Sequence, residues 1–243
     1  MFEIKNIPRA LCLLVSSFLL PACTTATQTE IKEYDSGLEK FNKASYNLTE
    51  IADQYFLKPI ASGYSRVLPD PVEVSFSRAF ANIREVGTAA NELLQGELAE
   101  ACTATSRVVI NSTVGILGLF EVAESMGLHK NEPEDFGQTL AVWGVASGPY
   151  VFLPILGPST LRDAPSRAVD YFFDPVNYVQ SSRDQYFLTG WDVIQQRARL
   201  LQRGDVVNGD RYFFLKDAYL QRREYLIKDG ELSEDMDEFD TDF

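Results

Sequence analysis

The sequence predicts an all-α fold with one bent, re-entrant helical hairpin. Apolar residues recur at spacings of three and four through most of the 243 residues, and Gly and Pro punctuate the periodic stretches. No apolar–polar alternation persists long enough to propose a sheet. The length suits one ordinary domain with a sizeable core. With 22 Lys and Arg against 35 Asp and Glu, the net charge is -13. Nucleic acid is therefore an unlikely class of partner, because phosphate binding needs a basic face. One His and three Cys cannot build a conventional zinc site, so no metal is expected.

Residues 1–22 read as a cleaved signal. Lys5 and Arg9 form a basic start, and residues 11–20 are an apolar run too short to cross a bilayer. The run ends in Leu20-Pro21-Ala22-Cys23, a lipobox-like sequence. Cys23 is the expected lipidation site, carrying S-diacylglycerol and an N-acyl chain, and Thr24 after it favours the outer membrane over inner-membrane retention. More than one acyl chain makes such anchoring stable. Residues 23–34 read as the lipidated tether, 35–228 as the helical domain, and 229–243 as a disordered acidic tail with eight carboxylates and no base.

Within the domain, Asp35 or Ser36 is a plausible N-cap for a stripe of Leu38, Phe41, Ala44, Leu48, Ile51 or Ala52, and Tyr55, which Pro59 should end. After Pro69-Asp70-Pro71, a second stripe runs through Val72, Phe76, Phe80, Ile83, Val86, Ala90, Leu93 and Leu94 to a stop at Gly96. A third helix spans about 97–111, with Leu98, Cys102, Thr105 and Val109 on one side; Cys102 reads as a buried small hydrophobe. Such stripes are expected to face the core. Residues 108–120 and 136–161 contain no charge. The second run is long enough to span a bilayer, but Gly137, Gly144, Gly148, Gly157, Pro149, Pro154 and Pro158 rule out a straight helix. A bent hairpin lying shallowly in one leaflet satisfies its peptide groups; a buried globular segment is the alternative. Two more helices are expected at 191–203 and 212–228, with Gly204 and Gly230 as stops.

A search for catalysis finds nothing. The chain has no Gly-x-Ser-x-Gly elbow, P-loop or dinucleotide fingerprint. His129 sits near Glu132, Glu134 and Asp135, where a solvated loop is the commoner explanation than a metal or a base. The chain reads as a non-enzyme with no cofactor.

Ordered motifs then accumulate. They are Leu38-Glu39-x-Phe41-Asn42-Lys43-x-x-Tyr46-Asn47, Asn91-x-Leu93-Leu94-Gln95-Gly96, and Arg107-x-x-Ile110-Asn111-Ser112-Thr113-x-Gly115. Glu134-Asp135-Phe136-Gly137-Gln138-Thr139-Leu140 comes next, then Trp143-Gly144. Gly148-Pro149-Tyr150-x-x-Leu153-Pro154, Gly157-Pro158-Ser159-Thr160-x-Arg162-Asp163 and Lys216-Asp217-Ala218-Tyr219-x-x-Arg222-Arg223 complete the set. Together with the lipobox, these resemble the MlaA (VacJ) outer-membrane lipoproteins over residues 35–225.

That resemblance implies a ring-like, doughnut-shaped helical bundle in the inner leaflet of the outer membrane, beside a trimeric porin. It implies an amphipathic channel that removes mislocalised phospholipids from the outer leaflet and passes them to the periplasmic carrier MlaC. Phe41 and Asn42 match the family position where disturbance leaves the channel leaky, so a gating role is carried onto them. Uncharged polar groups among glycines suit a headgroup path: Asn111, Ser112, Thr113, Gly137, Gln138, Thr139, Gly144, Ser147 and Gly148 are the candidates, with Ser159 and Thr160 beside them. Asn91, Gln95, Gly96, Pro149, Pro154, Gly157, Pro158, Arg162 and Asp163 are expected to be structural. The competing expectations are a porin-binding adaptor that moves no lipid, and a periplasmic lipid hydrolase.

Overall fold

The computed structural model describes residues 28–202 and 210–228, with side chains from residue 37 onward. The signal segment, Cys23, Gly204, Gly230 and the acidic tail lie outside the described residues. The chain divides into two compact units, Met1–Glu39 and Lys40–Phe243. Of the first, only the opening of one helix is described; the second holds the remaining elements.

Helix α1 (Gln28–Ala52) starts before the expected cap, inside the stretch read as tether. Pro59 does not end it. A π-helical segment, Asp53–Leu57, carries the chain into α2 (Lys58–Val67). There Lys58 N–H bonds the carbonyl of Asp53 rather than that of Gln54, and Pro59 falls in the first turn of α2, where its missing donor is tolerated. Helix α3 (Asp70–Gln95) is stopped by Gly96 at φ 90°, as expected. It packs most extensively on α4 (Leu98–Thr113). A turn over 114–120 leads to the short α5 (Val122–Ser125). After α7 (Asp163–Phe173) and a 3-10 turn at Pro175–Tyr178, α8 (Ser182–Gln202) and α9 (Arg211–Ile227) close the order. Helix α8 begins well before Trp191, where sequence periodicity starts it.

The charge-free run 136–161 differs from the expected helical hairpin. Only Phe136–Val142 is helical (α6), capped by Asp135, whose carboxylate accepts from Gln138 N–H at 3.0 Å. Gly144 and Gly148 then adopt positive φ, which ends the helix, and β1 (Tyr150–Leu153) pairs antiparallel with β2 (Gly157–Thr160). Tyr150 lies opposite Thr160 and Leu153 opposite Gly157. Three prolines remove the donors that a helix would need here. Strands of four residues are too short to announce themselves by alternation.

The larger surprise is the direction of the stripes. On α4 the buried side chains are Ala101, Ala104, Arg107 and Asn111, while Leu98 and Val109 are exposed. Cys102 lies on that exposed side and is not a core residue. On α3 the buried face carries Glu73, Ser77, Phe80, Asn82, Glu85, Thr88, Asn91 and Glu92, while Val72, Leu93 and Leu94 point outward. On α1, Asn42 and Ser45 are buried; Phe41, Leu48 and Ile51 are exposed. Among the described residues, twenty polar or charged side chains are buried against ten hydrophobic ones. The interior is therefore organised by hydrogen bonds, and the apolar surface is left for something outside the chain.

Candidate functional site

Of the three buried guanidiniums among the described residues, Arg223 and Arg107 each gather several partners. Arg223 of α9 makes a bidentate pair with Asp135, at 2.5 and 2.6 Å, donates to Gln138 Oε1 at 2.9 Å, and forms an ion pair with Asp163 Oδ2 at 2.9 Å. Asp163 receives Arg162 on its other oxygen at 2.7 Å and the Tyr219 hydroxyl at 2.9 Å. Burial alone would raise the Asp163 carboxyl, but Arg162 and Arg223 outweigh it and hold the group below its ordinary value. Burial and the neighbouring Asp163 push the Tyr219 phenol up. Thr139 donates to Asn91 Oδ1 at 3.0 Å and Gln95 donates to Glu134 at 2.7 Å, tying α6 to α3. Gly137, Gln138 and Thr139, three of the path candidates, are thus interior parts of a four-helix clamp.

The second guanidinium, Arg107, bonds Glu85 at 2.5 Å, Glu121 at 2.7 Å, Glu124 at 2.9 Å and the carbonyl of Leu128. These acids outweigh the effect of burial and raise Arg107 further above its ordinary value. The cluster fixes the turn after α4. Asn111 helps by accepting from Ala123 N–H at 2.9 Å, and Ser112 accepts from Asn82 at 2.8 Å. Thr113 is exposed and bonds back to Val109. His129 is at the surface, 2.9 Å from Glu124 rather than beside Glu132 to Asp135.

A third junction involves Asn42. Its amide donates to the carbonyl of Tyr150 at 3.0 Å and accepts from Phe152 N–H at 2.8 Å, so one side chain occupies the open edge of β1. Thr49, further along α1, accepts from Ile155 N–H at 2.8 Å in the hairpin turn. Tyr46 packs edge-on against Phe152 and Tyr212 beneath this junction. Phe41, by contrast, is 48% exposed.

Along the polar face of α3 lie three linked clefts. The largest, about 760 Å³, is walled by Ile83 and Thr88 of α3, Pro133 and Glu134 before α6, Arg167, Asp170, Tyr171 and Phe173 of α7, and Tyr186 of α8. A second, about 210 Å³, shares Ala81, Glu85 and Lys130 with it and adds Ser77, Arg78, Asn82, Asn111, Glu121 and Arg199. A third, about 290 Å³, shares Ser77, Arg78 and Arg199 with the second and extends to Asp70 and Glu73. Sequence reading places only Asn111 here. Gly144, Ser147 and Gly148 belong to the link before the hairpin, and Ser159 and Thr160 are buried in β2. The wall residues it missed carry a signal of their own: Glu73, Ser77, Ala81, Glu85 and Thr88 repeat at helical spacing, opposite the apolar stripe.

The model of a family described as MlaA lipoprotein matches residues 34–226. This chain belongs to the MlaA lipoprotein family. The MlaA lipoprotein of the intermembrane phospholipid transport system of Escherichia coli (strain K12) is 30% identical over 231 residues, spanning 92% of this chain and 90% of the relative. Its Haemophilus influenzae counterpart is 27% identical over 238 residues, 94% of both chains. An uncharacterized protein of Rickettsia felis is 33% identical over 194 residues, 78% of this chain and 77% of its own. A solved structure described as the structural basis for maintenance of bacterial outer membrane lipid asymmetry aligns with TM-score 0.67 at 29% identity, covering 78% of this chain and 98% of that one. The Glu134 to Leu140 motif supplies Asp135 and Gln138 to the Arg223 clamp, and Asn42, one of the two residues expected to gate, is the residue that holds the β-hairpin.

Proposed function

We propose that this chain removes phospholipids mislocalised to the outer leaflet of the outer membrane and passes them to a periplasmic lipid carrier such as MlaC, preserving lipid asymmetry. It acts without catalysis and without a cofactor, from the inner leaflet, beside a trimeric porin and anchored by lipid on Cys23. The observation that carries this reading is the partly inverted fold: a large, mostly apolar cleft adjoins a smaller polar one along α3, while many large apolar side chains point outward. A phospholipid needs a wetted route for its headgroup and apolar contact for its chains. No described helix is long and apolar enough to cross a membrane, which agrees with a protein embedded in one leaflet. The relatives named as members of a phospholipid transport system support the substrate.

Reconstitution tests it. The full lipidated chain is placed with porin in vesicles carrying labelled phospholipid, and transfer to purified carrier is followed. Transfer above the porin-only background is expected. Porin binding with background transfer would leave only the adaptor role, and release of free fatty acid would mean that the chain hydrolyses lipid.

A further inference from the structure

We propose that Arg78, Lys130 and Arg199 form a station in the second cleft where the phosphodiester of a passing phospholipid is held. The inference rests on the lipid-transport reading above and specifies where the headgroup stops. All three cations line a cavity of about 210 Å³, a volume suited to a phosphate with a small headgroup rather than to acyl chains. The two carboxylates on the same wall, Glu85 and Glu121, are already engaged by the buried Arg107. Arg78 reaches Glu121 only at 3.8 Å, and neither Lys130 nor Arg199 is paired with a carboxylate among the described residues. The cleft thus presents positive charge in a chain whose overall charge is strongly negative.

A second observation points to a ligand at the same place. Asn82 lines this cleft at 6% exposure, and its Oδ1 has no hydrogen-bond partner among the described residues. A buried amide oxygen left open in this way is costly unless a hydrogen-bond donor meets it; the phosphate oxygens offer none, but the ammonium of an ethanolamine headgroup lying beside the phosphate does. A Cβ on Gly118 would lie 2.6 Å from that of Asn82, so the glycine lets the turn close on the asparagine and fix it. The adjoining large cleft shares Lys130 and supplies the less polar walls of Ile83, Tyr171 and Phe173. One lipid can therefore keep its phosphate at the cations while its chains lie next door.

The test measures binding of three probes to the full lipidated protein: dihexanoyl phosphatidylethanolamine, dihexanoylglycerol and inorganic phosphate. The wild type is expected to bind the phospholipid about tenfold or more tighter than the diacylglycerol, the difference expected from charge-assisted hydrogen bonds. The double variant Arg78→Gln/Arg199→Gln should lose that difference yet bind diacylglycerol unchanged, and Arg78→Lys/Arg199→Lys should keep most of it. Unaltered melting of both variants is expected, since the Arg78 side chain is 46% exposed and Arg199 is exposed. Equal affinity for diacylglycerol and phospholipid in the wild type, or full phospholipid affinity in the Gln variant, overturns the station while leaving the lipid path intact. Inorganic phosphate binding as tightly as phospholipid would assign the cations to a free anion instead. Failure of all three probes to bind would remove the lipid reading together with the station.

Discussion

Gly137 has no space for even a methyl group. A Cβ there would collide with an Arg223 guanidinium nitrogen and lie 2.6 Å from Asp163 Oδ1 and 3.0 Å from Ser166 Oγ. Arg223 and Asp163 are held by their ion pairs, and Ser166 by its bond to the Asp163 carbonyl, so none of these atoms turns aside singly. Gly137→Ala is therefore expected to destabilise the fold by about 1–3 kcal/mol, seen as a lower Tm; an unchanged Tm would mean that the clamp is slack. Glu92 is the opposite kind of residue, buried at 1% exposure with one oxygen bonded to Asn131 at 2.7 Å and the other unpartnered. Burial is the main cause that pushes its carboxyl up to about 7 from 4.5. The folded state thus binds the proton more tightly than the unfolded state, so this group's contribution is fully present below pH 4.5 and is lost as pH rises through about 7. Glu92→Gln keeps the acceptor for Asn131 without the charge. Melting at pH 8 should show the variant more stable than the wild type, by about 1–3 kcal/mol, with the gap closing near pH 4.5. A gap independent of pH would point to packing instead of titration.

At the scale of elements, the sequence marks the helices but not which way they face. Periodicity divides α3 into an apolar stripe and a polar stripe and says nothing about which one is covered. The usual assumption that the apolar side turns inward fails here, and a seat in one leaflet, as proposed above, would cover that side with hydrocarbon instead of water. Motif residues read from the sequence as path candidates (Asn111, Gln138) or structural positions (Asn91, Arg162, Asp163) are buried, as are Arg107 and Arg223 of the same motifs. The β-hairpin was not legible, because its strands contribute only four residues each and depend on α1 for an edge partner. That dependence gives the gating proposal for Phe41 and Asn42 a physical form. A helix turns about 100° per residue, so deleting the pair rotates the part of α1 before it by about 200° relative to the rest and removes the amide from the edge of β1. Asn42→Ala should weaken the same junction without a change of register, at a cost of about 1–3 kcal/mol for the buried backbone groups left open at Tyr150 and Phe152. If holding the hairpin is what restrains lipid movement, both variants will raise phospholipid in the outer leaflet, the deletion more strongly. Normal outer-leaflet phospholipid in a well-folded Asn42→Ala protein would separate gating from this hydrogen bond.

For the whole molecule, the decisive contrast lies between fold stability and seating in the membrane. Turns normally carry polar residues or glycine, yet two turns here end in large apolar side chains: Leu117 is 74% exposed, and Ile155 and Leu156 are 74% and 65% exposed. Leu117 and Ile155 also hold positive φ, at 56° and 66°, a conformation that costs a non-glycine residue about 1–2 kcal/mol and is especially rare for a β-branched one. In water such residues are unfavourable on both counts. In a leaflet the exposed side chain gains by burial in hydrocarbon, about 25 cal/mol per Å² of apolar area, and that gain can offset the strain. Asparagine tolerates the left-handed region, and it removes the apolar contact. Ile155→Asn and Leu117→Asn should therefore raise the Tm of the unlipidated chain in detergent-free buffer while reducing its partition onto phospholipid vesicles. The two effects have opposite signs, which distinguishes membrane seating from ordinary core packing, where one substitution would lower both. A variant that melts earlier and binds vesicles as before would show that these tips pack against protein.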